Sequence, residues 1–466
     1  MSQRFRSIRS KGVDWITLSL YFSLLIIGWL MLYAAVYDES QPFAFMDIST
    51  IIGKQTAWVA ISLVVFGMTM VIDWKFWNTF AYPIFLITIL LLIGVLIFGT
   101  TIKGAKSWFS FGGMSFQPSE IAKFSTALAL SSFVSYYKSD IKTSNTLLVS
   151  LGIIFLPMAL ILLQPDAGSA IIFLSFFVLL YRRGLSGFLF LLGFGLMAIF
   201  ITSMIFGPMI VAIDVILLGM IVLIYNYNKK LRNTILSIGG LIFMTFLLYY
   251  INPYFAMGLA GFAFLTYLVL HLRERNFRLS TLVGAGVTIA VLFGLGTNYA
   301  FNQFLKPHQQ DRINAWLRPE LCDPQGTLYN IIQSKMAIGS GGFQGKGFLN
   351  GNMTKLNYVP EQTTDFIFST VGEEQGFIGS LGIIILFTIL LIRITIMAER
   401  AKNPFITNYG YCVAGIFFLQ IFINIGMTMG LMPVIGIPLP FLSKGGSALL
   451  GFTLLLGTLI KMDLDR

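Results

Sequence analysis

The stretch from Phe76 to Gly99 reads FWNTFAYPIFLITILLLIGVLIFG. From Ala81 onward it holds no charged residue, and as a helix it is long enough to cross ~30 Å of hydrocarbon. Lipid offers backbone N–H and C=O groups no partner, so a run of this kind has to be helical. Working outward, comparable apolar runs fall at 14–36, 54–72, 119–137, 145–163, 168–182, 185–206, 208–226, 232–251, 253–271, 280–301, 364–396, 406–433 and 445–462. The predicted fold is all-α: a polytopic integral membrane helical bundle of about fourteen transmembrane helices, with one large extracytoplasmic loop near 302–363. Composition agrees. Hydrophobic residues make up 56% of the 466, charged residues 11%, and mean hydropathy is +0.81, whereas a soluble domain carries about 25% charge.

Lys and Arg set the orientation. With the N-terminal Arg4, Arg6, Arg9 and Lys11 inside, the short basic loops also fall inside: Lys75, Lys138 with Lys142, Arg182–Arg183, Lys229–Lys230, Arg273 to Arg278, and Arg393 with Arg400 and Lys402. The first outer loop is acidic, with Asp38, Glu39 and Asp47, and both termini are cytoplasmic in this register. The net charge of +11 follows from this bias and needs no nucleic-acid partner. The first apolar run is too long for a cleavable signal peptide and reads as a retained span. Cys322 and Cys412 lie at different depths, so no disulfide is expected, and no Cys or His spacing fits a metal site. No inner loop is long enough for an ATP-binding domain, so energy has to come from the substrate or a gradient.

Chemistry is concentrated in three outer clusters. The largest, Asp311–Gly376, brings back charge, Gly, Pro and amide side chains before a helix re-enters the membrane with Asp365, Glu373 and Glu374. An unpaired charge at that depth costs at least ~2.5 kcal/mol. Within it, Gly339–Gly347 (GSGGFQGKG) fits neither a dinucleotide fingerprint nor a P-loop. It reads either as a flexible connection or as a backbone nest that, with Lys346, touches an anion. Glu361 and Asp365 are spaced i,i+4, which on a helix puts both on one side. The second cluster is GAKSWF (104–109) with FQPSEIAK (116–123). There Pro118 opens a helix, and Glu120 and Lys123 can pair at i,i+3. The third is QPDAG (164–168), whose Asp166 reads as a helix N-cap. Each carboxylate also has a plain structural reading, as a turn, a cap or an ion pair. Three polar clusters on one face imply a single outward-facing cavity for a substrate with a polar head and a lipid tail.

These motifs resemble the SEDS proteins (shape, elongation, division and sporulation), the RodA/FtsW glycosyltransferases of bacterial cell-wall synthesis. The matching segments are GAKSWF and FQPSEIAK, QPDAGSA (164–170), DPQGTLYNIIQSKMAIGSGG (323–342), GKGFLNG (345–351), LNYVPEQTTDFIFSTVGEEQG (356–376) and NIGMTMGLMPVIGIPLPFLSKGGSA (424–448). The 436–440 and 333–342 spellings are closer to RodA. The chain departs from the family pattern at Ser107 (commonly Arg, with Lys106 one position earlier), Thr363 (commonly His) and Lys444 (commonly Tyr). The family has about ten spans, so the resemblance implies one SEDS-type transmembrane domain over 1–466 with four extra helices near 207–275.

The resemblance implies a peptidoglycan glycosyltransferase that polymerises lipid II into glycan strands on the outer face of the cytoplasmic membrane during elongation and shape maintenance. Asp323 aligns with the family's essential Asp and is the expected catalytic base. Lys106, Trp108, Glu120, Lys123, Lys335, Lys346, Glu361, Asp365 and Glu373 are the expected substrate-binding residues. A divalent cation, Mg²⁺ or Mn²⁺, is expected to bridge the substrate pyrophosphate to outer carboxylates; its ligands are not assigned. The implied partner is a class B penicillin-binding protein transpeptidase, since this chain has no Ser-x-x-Lys nucleophile motif on an outer domain. Its single helix is expected against 406–433 and 445–462, where Gly410, Ala414, Gly415, Gly426 and Gly430 permit close approach. Two other readings compete: a lipid II flippase and a non-enzymatic scaffold.

Overall fold

The computed structural model describes residues 12–37, 44–102, 104–111, 114–136, 141–227, 231–273, 277–323 and 326–465. Arg4, Arg6, Arg9, Lys11, Asp38, Glu39, Lys138, Lys229, Lys230, Glu274 and Arg275 from the topology reading lie outside the described residues, as do Pro324 and Gln325 of the DPQG motif.

The protein is a multi-pass helical membrane protein. Among the described residues, eleven helices are long and apolar enough to span a bilayer, from Trp15–Ala35 to Gly446–Leu464. The expected number of about fourteen is not confirmed. The three other expected runs also form helices. Pro118–Ser135 holds Glu120 and Lys123 in its first two turns. Ala167–Arg182 is shorter and is interrupted by the 3-10 segment Ile172–Phe176. The third run forms the 21-residue helix Leu231–Ile251, within which Ile235–Ile251 is the apolar stretch. Among the described residues the exception to all-α structure is a small antiparallel sheet of Thr100–Ile102, Ala105–Phe111 and Met114–Phe116. The aromatic residues of AKSWFSF suit a strand, and Gly104 at φ +83° permits the reversal before it.

The chain divides into two compact units, Met1–Leu185 with Tyr329–Arg466, and Ser186–Leu328. The second unit contains Gly187–Phe206, Pro208–Tyr227, Leu231–Ile251, Pro253–Arg273 and Phe277–Phe304. It has its own core, in which Met220, Leu223 and Ile224 pack on Ala260, Phe264 and Val287. The stretch expected as an insertion, 207–275, lies inside this unit, which also takes in the loop bearing Asp323.

In the first unit the two last helices form the centre. Gly446–Leu464 packs on Ile51–Val71 and Pro118–Ser135, and Pro404–Thr428 packs on Ile367–Arg400 and Pro118–Ser135. Four of the five small residues expected to line a docking face, the glycines, sit against other parts of this unit. A Cβ on Gly410 would lie 2.6 Å from the Ala398 Cβ, one on Gly415 2.7 Å from the Ser175 carbonyl oxygen, and one on Gly426 2.9 Å from Met432. Gly430 is a turn residue at φ +74° beside Ile331 and Lys335. Gly415→Leu is therefore expected to lower the detergent melting temperature on its own, by an overpacking cost of about 1–3 kcal/mol. A melting curve equal to wild type would restore the glycine face as a free surface.

At the end of this unit that carries the short basic loops, Asp14 caps Trp15–Ala35 by accepting from the Thr17 amide at 3.1 Å. It also receives Arg393 and Arg400, and Arg400 continues to Asp463 of the last helix. Burial pushes the Asp14 carboxyl up, but the Thr17 amide and the two guanidinium groups outweigh it and hold the group below the ordinary carboxylate range. The first helix, Ile367–Arg400 and the last helix are thus tied at one end, leaving the opposite end to the polar motifs.

Candidate active site

The GSGGFQGKG segment and the GEEQG segment build one object. Helix Ile367–Arg400 is broken at Gly376, whose φ of +62° and ψ of −158° are open to glycine and strained for other residues. A break inside a membrane helix frees backbone groups that lipid cannot satisfy. The 342–347 loop satisfies them. Lys346 N–H donates to the Glu373 carbonyl (3.1 Å) and Gly347 N–H to the Glu374 carbonyl (2.9 Å). In return, Phe377 N–H and Ile378 N–H donate to the Gly342 and Phe343 carbonyls at 2.9 and 3.2 Å. The approach is so close that a Cβ on Gly341 would stand 2.0 Å from the Gly372 oxygen and one on Gly345 2.2 Å from the Glu374 oxygen. Those glycines serve backbone approach. The nest reading is corrected: the Gly345, Lys346 and Gly347 amides already donate to protein carbonyls.

Glu373 closes the same clasp. Its carboxylate accepts from Lys346 Nζ at 2.6 Å, from the Met353 and Thr354 amides at 2.9 and 2.8 Å, and from Thr354 Oγ1 at 2.7 Å. The side chain is fully buried, while Lys346 keeps 27% exposure. Glu373 thereby caps the short helix Asn352–Lys355 and holds GKGFLNG against the broken helix.

Glu361 and Asp365 do not share a helix. The helix begins at Ile367, and 361–366 are turns with Glu361 at φ +60°. The i,i+4 expectation fails because this segment is pinned by tertiary bonds. Gln362 Nε2 donates to the carbonyls of Ala35 and Thr354 at 3.0 and 2.8 Å. Lys444 N–H donates to Thr363 O and Ser443 Oγ to Thr364 O, at 2.8 and 2.6 Å. Buried Asn424 donates from Nδ2 to both Asp365 O (2.9 Å) and Ile437 O (2.7 Å). The GIPLPFLSKGG loop is thus seated on the TTDF turn, and Gly436 leaves room for the Asp365 carboxylate, which would lie 3.3 Å from an added Cβ.

The two remaining clusters meet as well. Gln117 Nε2 donates to Asp166 Oδ2 at 2.8 Å, and the Ser119 and Ser169 hydroxyls are 3.3 Å apart. Asp166 Oδ1 accepts the Ser169 amide at 3.0 Å, as the cap reading expected. A Cβ on Gly168 would meet Ile435 O at 2.6 Å, so QPDAG abuts the 435–436 loop and through it Asp365. Glu120 and Lys123 do pair, with Nζ 2.9 and 2.8 Å from the two carboxylate oxygens. Both are buried, at 2% and 1% exposure, and Lys123 lies 5.4 Å from the Phe452 ring centre. The geometry is that of a structural pair. Lys123→Ala leaves Glu120 unpartnered among apolar residues and is expected to cost about 3–5 kcal/mol of stability. Product formation should then fall in proportion to folded protein. Lost activity with an unchanged melting curve would instead give the pair a direct role on substrate.

Lys106 extends from the sheet and donates to the Ile97 carbonyl at 3.0 Å, with Trp108 half-buried on the same strand. Lys335 is exposed beside Gly430. Asp323 is exposed and belongs to the second unit. The first unit therefore brings together 104–111, 114–123, 164–169, 335–376 and 424–448 at one end. Sequence reading missed Asn424, Gln362, Thr354 and Ser443. Asn424 and Gln362 carried a usable signal, an amide within or beside a membrane run, which has to find partners.

A discontinuous membrane helix clasped by a glycine loop, ringed by carboxylates and lysines at one end of the bundle, defines the class: a multi-pass membrane protein with a polar site cut into its interfacial end. The FtsW/RodA/SpoVE family model, described as cell cycle protein, matches residues 15–215 and 209–466, and the chain belongs to that family. It is 29% identical to the peptidoglycan glycosyltransferase RodA of Treponema pallidum (strain Nichols), over 98% of this chain and 99% of that protein. It is also 29% identical to the peptidoglycan glycosyltransferase MrdB of Escherichia coli (strain K12), over 92% and 88%. Among solved structures, Thermus thermophilus RodA shares the fold with a TM-score of 0.56 at 21% identity, each chain covered to 98%. A chain from a peptidoglycan synthase complex that coordinates polymerization and crosslinking gives 0.63 at 23%, with 97% and 98% covered.

Proposed function

We infer that this chain is a peptidoglycan glycosyltransferase that polymerises lipid II on the outer face of a bacterial cytoplasmic membrane, with both termini cytoplasmic and a role in cell elongation. The observation that carries the reading is its alignment, nearly end to end, with RodA and MrdB proteins named for that activity. The donor is the growing strand on undecaprenyl pyrophosphate and the acceptor is lipid II. Asp323 takes the proton from the attacking GlcNAc 4-hydroxyl as the glycosidic bond to pyrophosphate breaks. Lys335, Lys106 and the exposed part of Lys346 supply positive charge for the departing pyrophosphate. Trp108, Glu361 and Asp365 bind the sugars, and Glu373, with the buried Glu120–Lys123 pair, fixes the frame.

Among the described residues no three carboxylate, His or Cys groups gather as a metal site. The proposed Mg²⁺ or Mn²⁺ would therefore be held chiefly by the pyrophosphate it arrives with, and no step is assigned to it. Polymerisation is expected to stop in EDTA and return with excess Mg²⁺; full activity in EDTA would remove the cation from the proposal. The proposed partner is a class B penicillin-binding protein, because a polymerase by itself leaves strands uncrosslinked.

The test is purified protein with labelled lipid II, with and without the transpeptidase. Glycan product on a gel supports the enzyme. Transbilayer movement of lipid II in vesicles without any glycan would support the flippase reading, and no product in the presence of the partner would support a scaffold.

A further inference from the structure

At the end of the first unit remote from the candidate active site, a cavity of about 240 Å³ is lined by Arg182, Arg183, Lys402, Pro404, Thr407 and Asn408. It opens where two helices end, the C-terminus of Ala167–Arg182 and the N-terminus of Pro404–Thr428. The latter helix is 25 residues long, so its two ends are separated by about 36 Å. Its far end holds Asn424 and the active-site loops. This cavity is therefore not part of that site, and the argument below stands whether or not the glycosyltransferase reading does.

Three cations line one small space, and Glu399 is paired to one of them. Arg182 is paired to Glu399 at 3.0 Å. Arg183, which lines the cavity, donates from Nε to Asn408 Oδ1 at 2.7 Å. Lys402 is exposed on the connection before Pro404. The N-terminus of the long helix adds its partial positive charge. Like charges held this close repel unless an anion sits between them. Leu174, Val178 and Arg182 are exposed along Ala167–Arg182. Phe418 and Phe422 are exposed on the other helix and stacked. A polar cationic pocket with exposed apolar residues on the two helices matches a molecule with an anionic head and acyl tails. Basic pockets between membrane helices on the cytoplasmic side suit anionic phospholipid headgroups.

We propose that this cavity is a binding site for the phosphate headgroup of an anionic phospholipid, clamping helix Ala167–Arg182 to the start of helix Pro404–Thr428. Arg183 and Lys402 grip the phosphate, and Arg182 borders it.

Native mass spectrometry of the delipidated full-length protein, titrated with phosphatidylglycerol or with phosphatidylcholine, tests the proposal. Retention of phosphatidylglycerol in clear preference to phosphatidylcholine is expected. Lys402→Glu, at an exposed position that should not affect folding, is expected to weaken phosphatidylglycerol binding at least about fivefold, from ~1 kcal/mol per basic residue near an anionic surface. Arg183→Gln with Lys402→Glu should abolish it. Equal retention of the two lipids, or unchanged binding in Lys402→Glu, would overturn the site. A parallel arm uses inorganic phosphate without lipid. If phosphate alone raises the melting temperature of wild type as much as phosphatidylglycerol does, and Lys402→Glu removes that rise, the cavity takes a free anion and the lipid assignment is overturned.

Discussion

Replacing Asp323 by Ala is expected to reduce glycan synthesis from lipid II by about 10²- to 10⁴-fold, the range a positioned general base contributes, while leaving the protein folded. The activity arm follows from the need to remove a proton from a sugar hydroxyl, a group far too weakly acidic to ionise by itself. The stability arm follows from the structure. Asp323 is exposed, and the turn that carries it is closed through the backbone, by Gly326 N–H donating to Asp323 O at 3.1 Å. Truncation leaves that bond in place. Asp323→Asn should lose nearly as much activity, because the amide keeps the shape but cannot accept the proton. Initial rates on labelled lipid II, set against detergent melting curves, read both arms. Product from Asp323→Ala at the wild-type rate would remove Asp323 as the base and leave the other exposed carboxylates, Glu361 first, to be tried.

Glu373→Ala should be the most damaging of the stability variants. Four donors converge on this one carboxylate, and none of them faces free solvent except part of Lys346. Removing it strands a charged amine, two amides and a hydroxyl at once. Breaking one buried pair costs about 3–5 kcal/mol, and each further orphaned donor adds about 1–3 kcal/mol. A marginally stable protein cannot absorb such a loss. The expected result is a large fall in melting temperature, faster proteolysis in the 342–354 loop, and activity lost with the fold. Glu373→Gln keeps the size and one acceptor and should fall between the two. Converting Lys346 to Met alongside Glu373→Ala should cost less than the sum of the single changes, because the two side chains share one bond. A Glu373→Ala protein that melts like wild type would show that the clasp does not hold the broken helix.

The class of protein and most of its helices were set by the amino-acid sequence alone. Runs such as 76–99 have a single solution in lipid, because every backbone group must be satisfied within the segment. The helix start at Pro118 and the Asp166 cap were legible for the same reason, as local contacts between residues a turn apart. The family was legible because its motifs are long and ordered. What the sequence could not supply was the partner of each polar group. GSGGFQGKG offered both a flexible loop and an anion nest; the break at Gly376 decided against the nest, since broken-helix carbonyls more than twenty residues away take its amides. Glu361 and Asp365 had helical spacing, but bonds from Lys444, Ser443 and Asn424 hold the backbone in turns. Gly415 had the composition of a docking face, and only the position of Ser175 across the helix pair shows that the space is filled. Helix formation in a membrane is a property of one segment and its solvent. The pairing of buried carboxylates, amides and glycines depends on which segments the bundle places side by side, and tertiary structure alone decides that.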